Sequence, residues 1–312
     1  MNLGTQPFAV VLLIGPNPVE IERARDLAEA LEAFEGGRFN LVLVDDDLKG
    51  RPLIQRIAPG LGSRVTMLPN PRRGRGSGWG SGAAAGVLAG LRRVVASSEV
   101  SFVLKLDTDS LVIGACANRI RAKFAATPGA GILGAYQFSP ARMKDRTSTP
   151  ALEKLLRQFS VWRRTPAGGP ALQLAFWGRY GRIRNVLRRA LLNGYRLGEH
   201  CSGGGYAVSA ECLQALHREG YLDDPTLWLQ APLGEDAIVA LLAAAAGYGL
   251  EPFDQAGDVF AVRHLGLPDA PDRLVAQGRS VIHSVKDHGD RREADIRTFF
   301  KSRRPPRGGG SP

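Results

Sequence analysis

The sequence predicts an α/β fold, a mostly parallel central sheet with helices on both faces. Strand and helix signals alternate through the first half of the chain, which is the pattern of parallel strands joined by crossover helices. The first strand candidate is a short apolar run of the kind that is buried. Acidic residues fall at the ends of later strands, where ligands sit in such sheets. A chain of 312 residues has room for one large domain or two ordinary ones.

Residues 8–15, FAVVLLIG, form the first strand. The run is too short to span a bilayer, no basic residue precedes it and no cleavage-like segment comes after it, so it reads as a buried strand and not a signal peptide. Residues 17–34 form a helix, with Asn17 as N-cap, Pro18 in the first turn and apolar residues at helical spacing. RFNLVLVDDD (38–47) is a second strand that ends in three acids, and RVTMLPN (64–70) a short third. A loop of Gly, Arg and Ser leads into a helix over 81–96. SFVLKLDTDSLV (101–112) is the fourth strand, followed by a helix over 116–126 and a strand over 130–138. Residues 139–196 break the rhythm; they are rich in Arg and aromatics and are read as a helical insertion. GEHCSGGGYAVSAECLQALHREG then gives a glycine loop, a short strand and a helix, and residues 233–250 place an acid pair at the start of an apolar helix. SVIHSVKDHGDRREADIRTFF is a strand leading into a polar helix, and residues 302–312 are a basic, Pro/Gly-rich tail read as disordered.

The 41 Lys+Arg against 30 Asp+Glu give a net charge of +11, which favours polyanionic partners. A general compositional bias towards Arg, Ala and Gly accounts for the same excess. Cys116, Cys201 and Cys212 are odd in number and widely spaced; they fit a reducing, cytoplasmic compartment and no zinc-site spacing.

Chemistry is concentrated in a few places. In the fourth strand Lys105 interrupts an apolar run, and then Asp107 and Asp109 arrive two positions apart, on one side of an extended chain. Such a pair at a strand end suits a hard divalent cation, Mn²⁺ or Mg²⁺, which is commonly shared with substrate phosphates. Asp109 or Ser110 would equally serve to cap a following helix. Asp45, Asp46 and Asp47 are either acceptors for ribose hydroxyls or a base N–H, or a solvated turn. NPRRGRGSGWGSGAAAG (70–86) contains a weak match to a dinucleotide fingerprint at Gly80-x-Gly82-x-x-Ala85, ten residues of loop away from the preceding strand. Glu235 and Asp236 follow Gly234 and open an apolar helix, where helix-dipole capping explains one of the acids and the functional reading is a general base. His264 and His283 each end a short apolar stretch, and Lys286 stands three residues past the second.

Taken in order, FVLKLDTDSLV, HCSGGGYAVSAECL, GEDAIVALLAAAAGYG and VIHSVK resemble the GT-A glycosyltransferases, nearest the β-1,3-galactosyltransferase and Fringe-like families. The resemblance implies a Rossmann-like GT-A domain with a nucleotide-sugar-binding half (1–138), a helical Arg-rich insertion (139–196) and an acceptor and catalytic half (197–301) before the tail. It implies transfer of a sugar from a nucleoside-diphosphate donor, UDP-linked, to an acceptor hydroxyl with inversion. Asp45 and Asp46 would contact the base or ribose, Asp107 would lie near the ribose, and Asp109 and His283 would hold the metal. Lys286 would meet the diphosphate, Gly203, Gly204 and Gly205 would lie beneath the donor sugar, and Asp236 would be the base with Glu235 its neighbour. The acceptor, whether glycan, lipid-linked or protein, is not specified. The missing membrane anchor and paired cysteines of Golgi enzymes point to a bacterial-type cytoplasmic enzyme.

Two other function classes compete. A nucleotidyltransferase acting on sugar phosphates shares the sheet but needs a second metal-binding carboxylate. A nucleic-acid-binding protein matches the charge, yet the arginines are spread through helices without a recognised motif, so no nucleic acid is expected. In residues 176–196, Phe176, Trp177, Tyr180, Ile183, Val186, Leu187 and Leu191 share one helix side among arginines. That profile fits a helix on anionic lipid, but an inward-packed amphipathic helix is favoured.

Overall fold

A computed structural model describes residues 6–78, 80–97, 99–137, 162–164, 170–172, 179–229, 231 and 233–306. The elements in chain order are β1 (Phe8–Ile14), α1 (Pro18–Glu35), β2 (Phe39–Asp45), α2 (Leu53–Ile57), β3 (Val65–Pro69), α3 (Ser81–Ser97), β4 (Phe102–Leu106) and β5 (Leu111–Val112). They continue with α4 (Ala117–Ala126), β6 (Ala130–Tyr136), β7 (Trp162–Arg164), β8 (Pro170–Leu172), α5 (Arg179–Leu192), β9 (Cys201–Ser209) and α6 (Ala210–Arg218). The chain closes with α7 (Glu235–Ala245), β10 (Gly249–Pro252), β11 (Phe260–Val262), α8 (Pro271–Ala276), β12 (Val281–His283) and α9 (Glu293–Lys301).

The expected mixed α/β architecture is present. A seven-stranded sheet has the order β10-β6-β9-β4-β1-β2-β3. Strands β1 to β4 pair in parallel, β10 pairs in parallel with β6, and β9 runs antiparallel between β4 and β6. Side chains of one strand divide between two cores, as the two-residue period requires. Phe8, Val10, Leu12 and Ile14 pack on one face with α1, while Ala9 and Val11 pack on the other with α3 and α7. Helix α1 begins as its sequence dictates: the Asn17 side chain accepts the Val19 N–H at 3.1 Å and Pro18 occupies the first turn.

Two sequence expectations change in detail. The segment 101–112 is not one strand. It leaves the main sheet after Leu106, turns through Asp107–Ser110, and rejoins as β5 in a three-stranded sheet of order β11-β12-β5. The turn therefore runs into a strand and not a helix, so Asp109 and Ser110 cap nothing; the Ser110 hydroxyl donates to the Gly204 carbonyl. Gly203–Gly205 are not a loop either, but the first half of β9, with Gly205 paired to Leu106. At Gly203 and Gly204 the glycines are required because Glu235 and His283, respectively, approach the strand too closely for a Cβ.

Most of the proposed insertion 139–196 lies outside the described residues. Within it β7 and β8 form a two-stranded antiparallel ladder, and α5 lays Ile183, Val186, Leu187 and Ala190 into the same core as α7.

Candidate metal centre and catalytic site

The turn after β4 and the end of β12 meet because β5 pairs antiparallel with β12, Leu111 opposite Ile282. This brings His283, far later in the sequence, beside Asp107 and Asp109. One ligand atom from each of the three lies within 4.8 Å of the others. His283 Nε2 is 3.2 Å from Asp109 Oδ2 and 3.9 Å from Asp107 Oδ2. Its Nδ1 is 2.7 Å from the Arg263 carbonyl, an acceptor only, so Nδ1 carries a proton and Nε2 is the atom turned to the carboxylates. That arrangement of a backbone-anchored imidazole beside two carboxylates fits a divalent cation, since metal-binding histidines commonly donate their other ring N–H to such a partner. Among the described residues no other cluster of three such groups forms.

Asp109 is the most heavily engaged of the three. Its Oδ2 accepts from Ser284 Oγ at 2.9 Å and meets Lys286 Nζ at 2.7 Å, and its carbonyl accepts the Val285 N–H at 2.7 Å. Burial alone would raise its carboxyl, but the His283 and Lys286 contacts outweigh that and hold it well below the carboxylate range. In His283 burial pulls the imidazole down, and the Asp109 and Asp107 carboxylates prevail and raise it. Behind the turn, the Thr108 hydroxyl donates to Glu20 of α1, whose carboxyl is raised by burial.

Asp107 faces a second buried group. The Lys105 ammonium, on the same strand, lies 2.7 Å from Asp107 Oδ1 and 3.2 Å from Glu235 Oε2, and also donates to the Gly203 carbonyl. Burial would lower the lysine, but Asp107 and Glu235 raise it above its ordinary value. The Tyr206 hydroxyl donates to the other oxygen of Glu235. Burial pushes Glu235 up to about 7; the Lys105 charge offsets this only in part, and the nearby Asp236 and Asp107 carboxylates add to the rise.

Helix α7 starts at this point. Glu235 is 6 % exposed and bound on both oxygens, whereas the Asp236 side chain is 27 % exposed. Asp236 Oδ1 accepts the Ala237 N–H at 2.8 Å, and its Oδ2 lies 3.6 Å from Nε2 of the buried His200. A Cβ on Gly203 would lie 2.9 Å from Glu235 Oε2 and 3.5 Å from the Asp236 Cβ, so β9 separates the metal cluster from the acid pair by one glycine-lined strand.

The structure thus gathers Asp107, Asp109, His283, Lys286, Gly203, Gly204, Gly205, Glu235 and Asp236 around the start of β9. It places Asp45 and Asp46 apart, at the end of β2, with β1 intervening between β2 and β4. Asp45 is bound by Arg51, and Asp46 by Arg72 and by Asn70 Nδ2 at 2.9 Å. His264 is not in the cluster. Sequence reasoning gave no role to Lys105, Glu20, Tyr206 or His200. Only Lys105 carried a signal, a lone charge in an apolar strand, which is tolerated when paired.

No protein-family model matches the sequence, and no curated protein matches it. Solved structures with a similar layout include a mutant of the galactosyltransferase LgtC (TM-score 0.48, 10 % identity, covering 94 % of this chain and 95 % of that one). Another is mouse xyloside xylosyltransferase 1 (TM-score 0.41, 12 % identity, 82 % and 88 % covered). A third is a mannosyltransferase from Pyrobaculum calidifontis in complex with GDP-Man and Mn²⁺ (TM-score 0.40, 14 % identity, 78 % of this chain). The chain spans about half, 54 %, of that mannosyltransferase.

Proposed function

We propose that this protein is a metal-dependent glycosyltransferase of the GT-A type, which moves a sugar from a nucleoside-diphosphate donor to an acceptor hydroxyl with inversion. The observation that carries this reading is the Asp107–Asp109–His283 cluster at the end of β4, one glycine-lined strand away from the partly exposed carboxylate of Asp236. A leaving nucleoside diphosphate needs its growing negative charge neutralised, and a divalent cation, Mn²⁺ or Mg²⁺, supplies that as a Lewis acid when bound. Asp109 and His283 would hold the ion, with Asp107 completing the set on its Oδ2 side. Lys286, beside Asp109, adds a positive charge for the diphosphate.

Asp236 is the base. It takes the proton of the acceptor hydroxyl as the oxygen attacks the anomeric carbon, from a site separate from the metal, which is what inversion requires. The burial of Glu235 and its bonds to Lys105 and Tyr206 favour Asp236 over Glu235 in that role. UDP is the expected nucleotide, by resemblance. Nucleotidyl transfer is not favoured, because the described residues offer one three-ligand cluster and attack at phosphorus calls for a second metal-binding set.

Thermal denaturation with a panel of nucleoside diphosphates, each with and without Mn²⁺, tests the proposal. Stabilisation requires both components and disappears in Asp109→Ala. Equal stabilisation by the nucleotide without metal, or in the variant, would overturn it.

A further inference from the structure

Lys105 is the one lysine of β4, and its side chain is 3 % exposed. An ammonium has three N–H donors and no acceptor. Here there are three acceptors: Asp107 Oδ1, Glu235 Oε2 and the Gly203 carbonyl. They come from three different elements, namely the metal turn after β4, the first residue of α7, and β9 between them. All three donors are used, so the head group has one orientation and little freedom to take another.

The consequences differ at the two ends. Asp107 has one oxygen tied to Lys105, which leaves Oδ2 as the atom turned to His283. Its side chain is 38 % exposed, so without that tie it would rotate freely towards solvent. At the other end Glu235 is fixed at the first turn of α7, and Asp236, the next residue, takes its place from that turn. We infer that Lys105 is a positioning residue, a three-point anchor that aims the Asp107 carboxylate at the cation and fixes the helix start bearing Asp236 at a set distance from it. The assignment rests on the metal-dependent reading above. Its chemical content is the orientation of a metal ligand by a neighbouring side chain, a kind of contact whose loss typically weakens metal binding by about 10- to 100-fold.

A lysine that only neutralises Glu235 would give the same contacts with a different outcome on removal. The test separates the two by removing both charges at once. Lys105→Met leaves Glu235 buried without its cation and lowers stability. Lys105→Met with Glu235→Gln removes that unpaired charge, keeps an acceptor for the Tyr206 hydroxyl and recovers the melting temperature. Mn²⁺ affinity, read by electron paramagnetic resonance of free Mn²⁺ on the full chain, then falls about 10- to 100-fold in the double variant despite its recovered fold. Glu235→Gln alone, which retains the Lys105–Asp107 contact, loses less affinity than the double variant. If the double variant does not melt cooperatively, Lys105→Gln with Glu235→Gln, which removes the same two charges and keeps a polar head group facing Gly203, provides the same reading and the same expected loss. Unchanged Mn²⁺ affinity in whichever variant folds overturns the inference alone. A wild-type protein that binds no Mn²⁺ overturns the metal-dependent reading itself, and the role of Lys105 falls with it.

Discussion

The imidazole of His283 occupies the space that a side chain at position 204 would fill: a Cβ on Gly204 would lie 2.2 Å from its Cγ and 2.4 Å from its Nδ1. Neither partner can easily give way. The Gly204 carbonyl accepts from the Asp107 N–H and the Ser110 hydroxyl, and the His283 ring is anchored to the Arg263 carbonyl. Gly204→Ala is therefore expected to cost about 1–3 kcal/mol through overpacking. It should also push the ring off the carboxylates, so that the Mn²⁺-dependent thermal shift shrinks more than the apo melting temperature does. A variant with wild-type Mn²⁺ response would show that the ring position is not required for the ion.

This contact also marks how far the sequence could be read. The strand and helix order was legible because apolar runs and caps such as Asn17-Pro18 act locally. Asp107, Asp109 and the late histidine were legible as types suited to a cation. Contact between distant segments was not legible. The glycine run 203–205 looks like a loop locally, and only the arrival of Glu235 against Gly203 and of His283 against Gly204 explains glycine at those two strand positions. The three-point coordination of Lys105 is hidden for the same reason, since Gly203 and Glu235 are about a hundred residues and more away from it. The partners of Asp45 and Asp46 reverse the emphasis: acids that read as ligand contacts are bound to Arg51 and Arg72.

Asp46 is consequently expected to matter before any ligand is present. Arg72 meets it with two bonds, Nε to Oδ1 at 2.6 Å and Nη2 to Oδ2 at 2.5 Å, and the same guanidinium donates at 3.1 Å to the carbonyls of Arg75 and Gly76. The pair therefore shapes the loop after β3. Asp46→Ala should lower the stability of the ligand-free protein by roughly 2 kcal/mol, less than the 3–5 kcal/mol of a fully buried pair because Arg72 is partly solvated. Chemical denaturation checks this. An unchanged midpoint would return Asp46 to a role in ligand binding alone.

The acid pair at the start of α7 should separate cleanly in activity. Asp236→Asn is expected to keep the thermal shift produced by nucleotide with Mn²⁺ and to lose turnover by about 10²- to 10⁴-fold, the usual contribution of a general base. Near-normal turnover in that variant would assign the base to another group.

Glu235 should instead appear in stability against pH. Its folded carboxyl titrates at about 7 against an ordinary 4.5, so between those values the folded state holds a proton that the unfolded state has released. The contribution is fully present below pH 4.5 and is lost as pH rises through 7. The unfolding free energy of the wild type should thus decline between pH 5 and pH 8 relative to Glu235→Gln, by at most about 3 kcal/mol. Parallel curves for the two proteins would mean that Lys105 and Tyr206 stabilise the charged form fully.

Helix α5 bears on the question of lipid contact. The apolar residues that sequence reading offered to a membrane include Ile183, Val186 and Leu187, and these are buried against the core that contains α7. Phe176 and Trp177 lie outside the described residues. What α5 exposes is Arg182, Arg184, Arg188 and Arg189 with Leu191 and Leu192, and of the arginines Arg182 is paired to Asp224 and Arg189 to Glu219. Among the described residues no helix is long and apolar enough to cross a membrane. An interfacial helix binds through its buried apolar area plus attraction to anionic headgroups, and here Ile183, Val186 and Leu187 are already taken up by the protein's own core. Sedimentation with anionic vesicles at physiological salt should accordingly leave the protein in the supernatant. Firm binding that depends on anionic lipid and is lost on charge reversal of Arg184 and Arg188 would show that the exposed arginines and leucines suffice.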